Sequence, residues 1–175
     1  MKIVKYTLGI IAGLVIIFLA LGLITPEVSY ECEITVDKPL PEAWAVAQDE
    51  DKMSEWLVGF QKIEAVSGTP GTVGAVSDVY FNNEGEEMVI RETIISLVHN
   101  KSMNMSFNTD FMDMDYSLSI AIVGGKTTFT SQTTTVGNGI MAKSIMAMMS
   151  GSIKAQEDSN LSLLKATIEK NTKVY

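Results

Sequence analysis

The chain has 175 residues, which allows one domain and one appended segment. Apolar residues make up 46% and charged residues 19%, excluding a disordered chain; 13 bases against 21 acids, a net charge of -8, exclude a basic nucleic-acid face. A single cysteine, Cys32, excludes an internal disulfide and cysteine-rich metal sites, and a single histidine, His99, excludes sites built on two.

Residues 6–24 carry no charge and are mostly Leu, Ile, Val, Ala and Gly. Nineteen residues at 1.5 Å rise span ~28 Å, close to the hydrocarbon core of a bilayer. Lys2 and Lys5 precede the run, and Glu27 is the first charge after it. The positive-inside tendency therefore expects a cytoplasmic N-terminus and an extracytoplasmic domain. The alternative is a cleaved signal peptide, with Ala20 and Gly22 as small residues near the cut; the length of the run favours an uncleaved anchor. Ser29, Tyr30 and Glu31 do not form a lipobox before Cys32. Thr25-Pro26 ends the helix, because proline cannot continue its hydrogen-bond ladder. The expected organisation is an anchor or signal over 1–26 and a domain over 27–175. That domain holds all 21 acids and 11 of the 13 bases, a net charge of -10. An anionic lipid surface repels it as a whole, so the anchor must keep it at the membrane.

Residues 28–36 alternate. Val28, Tyr30, Cys32, Ile34 and Val36 share one face, which predicts a half-buried strand with Cys32 as a small core residue. Pro41 suits the first turn of a helix carrying Ala43, Trp44, Val46 and Ala47. Asp49, Glu50 and Asp51 break it, and a second short helix takes Met53, Trp56 and Leu57. Strands are then expected over 60–67, 74–81, 87–98, 102–107, 115–123 and 126–136. Turn signals separate them: Gly68 to Gly71, residues 82–85, His99-Asn100-Lys101 and Gly124-Gly125. From Ile140 the pattern is helical, and Leu161, Leu164 and Ile168 give the 3.6-residue spacing. The polar stretch 154–160 interrupts the apolar density, so a bend there or near Gly151 is expected. Successive hairpins without crossover helices imply an antiparallel sheet, covered on one face by the long C-terminal helix.

These residues resemble the SRPBCC, or START-like, superfamily, which includes birch-pollen-allergen-like and polyketide cyclase/dehydrase-type domains. The resemblance rests on Thr35-Val36-Asp37-Lys38-Pro39-Leu40-Pro41-Glu42-Ala43-Trp44, then Asp49 and Ser54-Glu55-Trp56. Gly71-Thr72-Val73-Gly74 and Arg91-Glu92-Thr93-Ile94 extend it. It covers residues 28–170. It implies an α+β helix-grip fold, a curved antiparallel sheet of six to seven strands wrapped on a long C-terminal helix, with two short helices after the first strand. The space between sheet and helix is where such a fold holds a ligand. The superfamily hosts transporters, cyclases and allergens, so the fold alone does not give the function.

Arg91 and Glu92 lie in an otherwise apolar strand, so one of them points inward, and a buried charge is costly unless paired. Eleven methionines suit an adaptable apolar cavity. Met103 and Met105 share one strand face, Met112 and Met114 another, and Met141, Met146, Met148 and Met149 crowd the helix. Thioethers also bind Cu(I), but Asp110, Asp113 and Asp115 beside them read as a solvated loop, and no metal or cofactor is expected. His99 sits in a turn, away from any nucleophile, and no phosphate loop or dinucleotide fingerprint occurs. The expected ligand-lining residues are Trp56, Tyr80, Glu92, Met103, Met105, Met141, Ile145 and Met148. The expected function is membrane-anchored binding of a small apolar or lipid-like molecule. The alternatives are a polyketide cyclase or dehydratase using Asp78, Glu92 or Tyr80, and a ligand-free protein-interaction domain.

Overall fold

Alternating apolar and polar residues in seven segments need partners for both their backbones and their apolar faces. In the computed structural model, which describes residues 2–83 and 85–175, those segments form one antiparallel sheet. Glu84 of the predicted 82–85 turn lies outside the described residues. In chain order the elements are α1 (Lys2–Ile24), β1 (Glu27–Val36), α2 (Leu40–Gln48), α3 (Glu50–Trp56), β2 (Phe60–Ser67) and β3 (Val76–Asn83), then β4 (Glu86–Val98), β5 (Ser102–Asn108), β6 (Met112–Val123), β7 (Lys126–Gly137) and α4 (Ile140–Lys170). The strand order is β1-β7-β6-β5-β4-β3-β2. The first strand returns beside the last, and the rest are successive hairpins.

Local chemistry sets the joints. Asp49 ends α2 and opens α3, and its carboxylate accepts the Asp51 N–H at 3.2 Å. Gly124 and Gly125 both take positive φ in a two-residue turn, which matches the twist of the flanking strands. Asn100 does the same at φ 58°, in the turn that exposes His99. Two strand starts differ from expectation by two residues or more. β3 begins at Val76, because Gly74 at φ 84° keeps the chain in its loop. β6 begins at Met112, so Asp113 and Asp115 stand on the outer face of a strand. Asp113 is held there by Asn108, 2.9 Å away.

The core lies between the sheet and the three domain helices. Phe129, Val36, Trp44, Val46, Leu161, Leu164 and Ile168 are its most enclosed apolar side chains. Helix α4 is continuous and packs chiefly over β1 and β7. Its buried stripe runs Ala142, Met146, Leu161, Leu164, Ile168, at helical spacing. Helix α1 is different: among its described side chains most are exposed and only Gly22 is buried. Its last turns pack on α4, where a Cβ on Gly22 would stand 2.5 Å from the buried Ser144 Oγ.

Candidate functional site

Strand register assembles the inner face of the sheet in rows. Ile94, Met105, Tyr116, Thr133 and Tyr30 form one row across β4, β5, β6, β7 and β1. Glu92, Phe107, Met114, Thr135 and Val28 form the row beside it, with Ser77 of β3 opposite Glu92. Leu97, Met103, Leu118, Ser131 and Cys32 form the row on the other side. Because α4 packs chiefly on β1 and β7, the β3 to β5 half of these rows lies beside the helix and not under it, an apolar strip of the inner face that is the candidate trough. Its walls are not fully sealed. Phe107, Tyr116 and Leu97 face the core yet keep part of their surface accessible.

The trough is apolar with a few enclosed polar groups. Tyr116 donates its hydroxyl to Glu157 Oε1 of α4 at 2.9 Å. Burial pushes the Glu157 carboxyl above its ordinary range, against the hydrogen bonds that lower it. Burial, then the Glu157 charge, pushes the Tyr116 hydroxyl well above its ordinary value. Ser131 lies beside this pair but outside hydrogen-bonding geometry, and the buried Thr135 Oγ1 has no partner among the described residues. Glu92 has neither a hydrogen bond nor an ion pair among the described residues, and burial alone raises its carboxyl. The indole Nε1 of Trp56 is buried without an acceptor among the described residues. Lys154 closes the β1 side. It reaches Cys32 Sγ at 3.6 Å and Asp158 at 2.8 Å. The buried Cys32 thiol is pushed up to about 11, chiefly by desolvation, so it is a packed side chain and not a reactive thiol. Carboxyls held toward their neutral form can donate or accept a hydrogen bond, or pass a proton, in a place that excludes water. Among the described residues, no group of three or more His, Cys, Asp and Glu is arranged to hold a metal ion.

Of the sequence-expected lining residues, Trp56, Glu92, Met103 and Met105 face this interior. Glu92 is the inward member of its pair. Arg91 turns outward and grips Asp78 through two hydrogen bonds, at 2.9 and 3.0 Å. Tyr80 belongs to the outer face with Asp78, two residues away, and Lys62 lies over its ring at 4.5 Å. Met141 and Met148 are 63% and 65% exposed, and Ile145 is half-buried. The stripe set by Leu161, Leu164 and Ile168 runs back through Met146 and Ala142, which leaves Met141 and Met148 off it. Sequence reading missed Tyr116 and Glu157. Both had a signal: Tyr116 alternates with Leu118 and Ile120, and Glu157 stands one turn before Leu161. Two hollows lie outside the trough. One of about 390 Å³ overlies Asp78, Arg91 and Asp110 on the outer face; one of about 320 Å³ lies between α2 and residues 171–175.

Comparison with known proteins gives one match at the level of families. The model of the family described as polyketide cyclase/dehydrase and lipid transport matches residues 27–169. No curated protein matches the chain by sequence. Many solved structures share the fold. The chain is similar to Ara h 8.0201 at 14% identity and a TM-score of 0.66, covering 83% of this chain and 99% of that one. It is similar to StfQ, a di-domain ARO/CYC from the steffimycin biosynthetic pathway, at 13% identity and a TM-score of 0.67, covering 83% of this chain and about half, 52%, of that one. A protein of Chromobacterium violaceum matches at 15% identity and a TM-score of 0.64, covering 82% of this chain and 99% of that one. At such identities the likeness establishes the fold alone.

Proposed function

The chain belongs to the polyketide cyclase/dehydrase and lipid transport family of the SRPBCC superfamily, and within it we propose that this protein binds a small apolar or lipid-like molecule while anchored to a membrane. The observation that carries the binding reading is the inner trough. Met103, Met105 and Phe107 supply adaptable apolar walls; Trp56 Nε1 and Thr135 Oγ1 are buried, Glu92 is half-buried, and none of the three has a partner among the described residues. Their unused hydrogen-bonding capacity suits a ligand that is mostly apolar with a hydroxyl, carbonyl or amine at one end. A free carboxylate suits it poorly, because Glu92 already places an unpaired carboxyl there.

The anchoring reading rests on α1. An apolar helix this exposed is not the core helix of a soluble domain, and it is long enough to span a bilayer. On this reading α1 stays uncleaved, the N-terminus is cytoplasmic and the domain is extracytoplasmic.

A second reading has its own observation. The Tyr116–Glu157 hydrogen bond and the unpaired Glu92 supply both ends of acid–base chemistry beside one apolar trough, as cyclisation or dehydration of a polyketide-type substrate requires.

The test is native mass spectrometry of the full chain, purified gently in detergent from the cells that make it, beside an extract of its small molecules. A discrete apolar adduct that Met105→Trp abolishes supports the binding reading. A ligand-free chain that turns over a polyketide precursor, and loses turnover in Glu157→Gln, replaces it with the enzyme reading.

A further inference from the structure

We propose that the opening turns of α4, residues 140–149, lie in the interfacial layer of the bilayer beside the outer end of α1, so that this face of the domain rests on lipid. The inference rests on α1 being a membrane span. Only Thr25 and Pro26 separate α1 from β1, so the domain has no tether to lift it away from the membrane. The start of α4 also reaches back along α1. Gly22 is buried against Ser144, and residues 18–20 are half-buried, whereas most of α1 before them is exposed. From residue 18 to 24 is ~9 Å at 1.5 Å per residue, the depth of an interfacial helix below the headgroups.

The side chains on that part of α4 match the setting. Met141 and Met148, seven residues apart, share one helix face, at 63% and 65% exposure. Ile140 and Met149 are exposed beside them. Phe111, also exposed, is brought close because its carbonyl accepts the Asn138 N–H at 2.8 Å, just before α4 begins. These apolar side chains lie next to the Ser144 position that Gly22 covers, so the patch is continuous with the apolar surface of α1. Charge agrees. No acid occurs between Asp115 and Glu157, and the charges on the first half of α4 are Lys143 and Lys154. The domain as a whole is strongly acidic, but the opening turns of α4 carry no acid and present methionines, which a lipid headgroup layer accepts.

The test uses the full chain in vesicles of phosphatidylcholine and phosphatidylglycerol carrying acyl chains with a quencher near the carbonyl depth. An environment-sensitive fluorophore is placed on Met148→Cys, and separately on Met141→Cys. Val66→Cys on the exposed edge strand β2 reports water, and Leu14→Cys in mid-α1 reports the span itself. The native Cys32 is buried and stays unlabelled. Expected are blue-shifted emission at Met148→Cys and Met141→Cys and quenching several-fold above Val66→Cys. The proposal is overturned if both match Val66→Cys while Leu14→Cys is quenched. It is also overturned if they are blue-shifted yet unquenched and cross-link between chains, because the patch is then covered by a second copy. An unquenched Leu14→Cys rejects the span itself, and is thereby distinguished from failure of the patch.

Discussion

Arg91 and Glu92 are neighbours in β4 and face opposite sides of the sheet, and their surroundings give them opposite electrostatics. Arg91 pairs with Asp78 in solvent, where such a pair contributes little. Glu92 is half-buried with no partner among the described residues, so its ionised form is disfavoured. Glu92→Gln removes that charge and keeps the shape. It is expected to raise the stability of the full chain in detergent at pH 8 by on the order of 1 kcal/mol, read by chemical unfolding. Binding of an apolar ligand with a hydroxyl end should persist in this variant, because an amide still offers a donor and an acceptor. At Tyr116 the expected sign is the reverse. Tyr116→Phe takes away the hydroxyl that Glu157 accepts from, and leaving this half-buried acceptor unsatisfied should cost about 1 kcal/mol in the same assay.

Helix α4 carries two surfaces with separate tasks. The stripe through Met146, Leu161, Leu164 and Ile168 holds the helix to the sheet, and the exposed methionines of its opening turns do not. Leu164→Ala therefore leaves a cavity in a fully enclosed place and should cost ~2–5 kcal/mol. Met148→Ala changes an exposed side chain and should stay within ~0.5 kcal/mol when the chain is unfolded in detergent. Equal losses in the two variants would mean that the helix is phased differently. The contact between α1 and α4 depends on the absence of a side chain at Gly22. Gly22→Leu should separate these helices while leaving the sheet intact, so hydrogen exchange should rise around Ser144 and remain slow at Phe129.

At the scale of the molecule, two sets of carboxyls titrate in opposite directions. Glu92 and Glu157 are raised above the ordinary glutamate value of 4.5 by burial. The folded state thus holds their protons more tightly than the unfolded state. Stability falls as pH climbs from about 4.5 through the raised values, and the penalty is complete above them. Asp37, Glu42, Asp49 and Glu55 are lowered by Lys126, Lys38, Lys173 and Lys170. Their stabilisation is present above ordinary carboxylate values and is lost as pH falls through the lowered ones, though as surface pairs they contribute little. The net charge of -10 on residues 27–175 adds self-repulsion that protonation relieves. The full chain should consequently lose stability as pH rises from about 4.5, and Glu157→Gln should flatten that slope. A thermal midpoint that does not fall as pH rises from about 4.5 would contradict the desolvation of both glutamates.

The sequence by itself determined the element order, the antiparallel sheet and the long C-terminal helix. Each follows from a short-range signal: alternation over 28–36, the Gly124-Gly125 turn, and the spacing of Leu161, Leu164 and Ile168. It also put Met103 and Met105 on one face, because a strand's period of two leaves no freedom once one side is known. The tertiary structure decided which side of the sheet is the inside at β3, where Tyr80 went outward with Asp78, and at β4, where Glu92 went inward. Both faces of those strands carry apolar residues, so local pattern has no sign. It likewise decided that the opening methionines of α4 stand outside the core. That depends on the phase of a helix carried across the polar residues 154–160, which is fixed by packing on β1 and β7 and by Gly22 of α1 against Ser144. Pairing between Tyr116 and Glu157 joins residues 41 positions apart, and only the closing of the helix on the sheet brings them within a hydrogen bond.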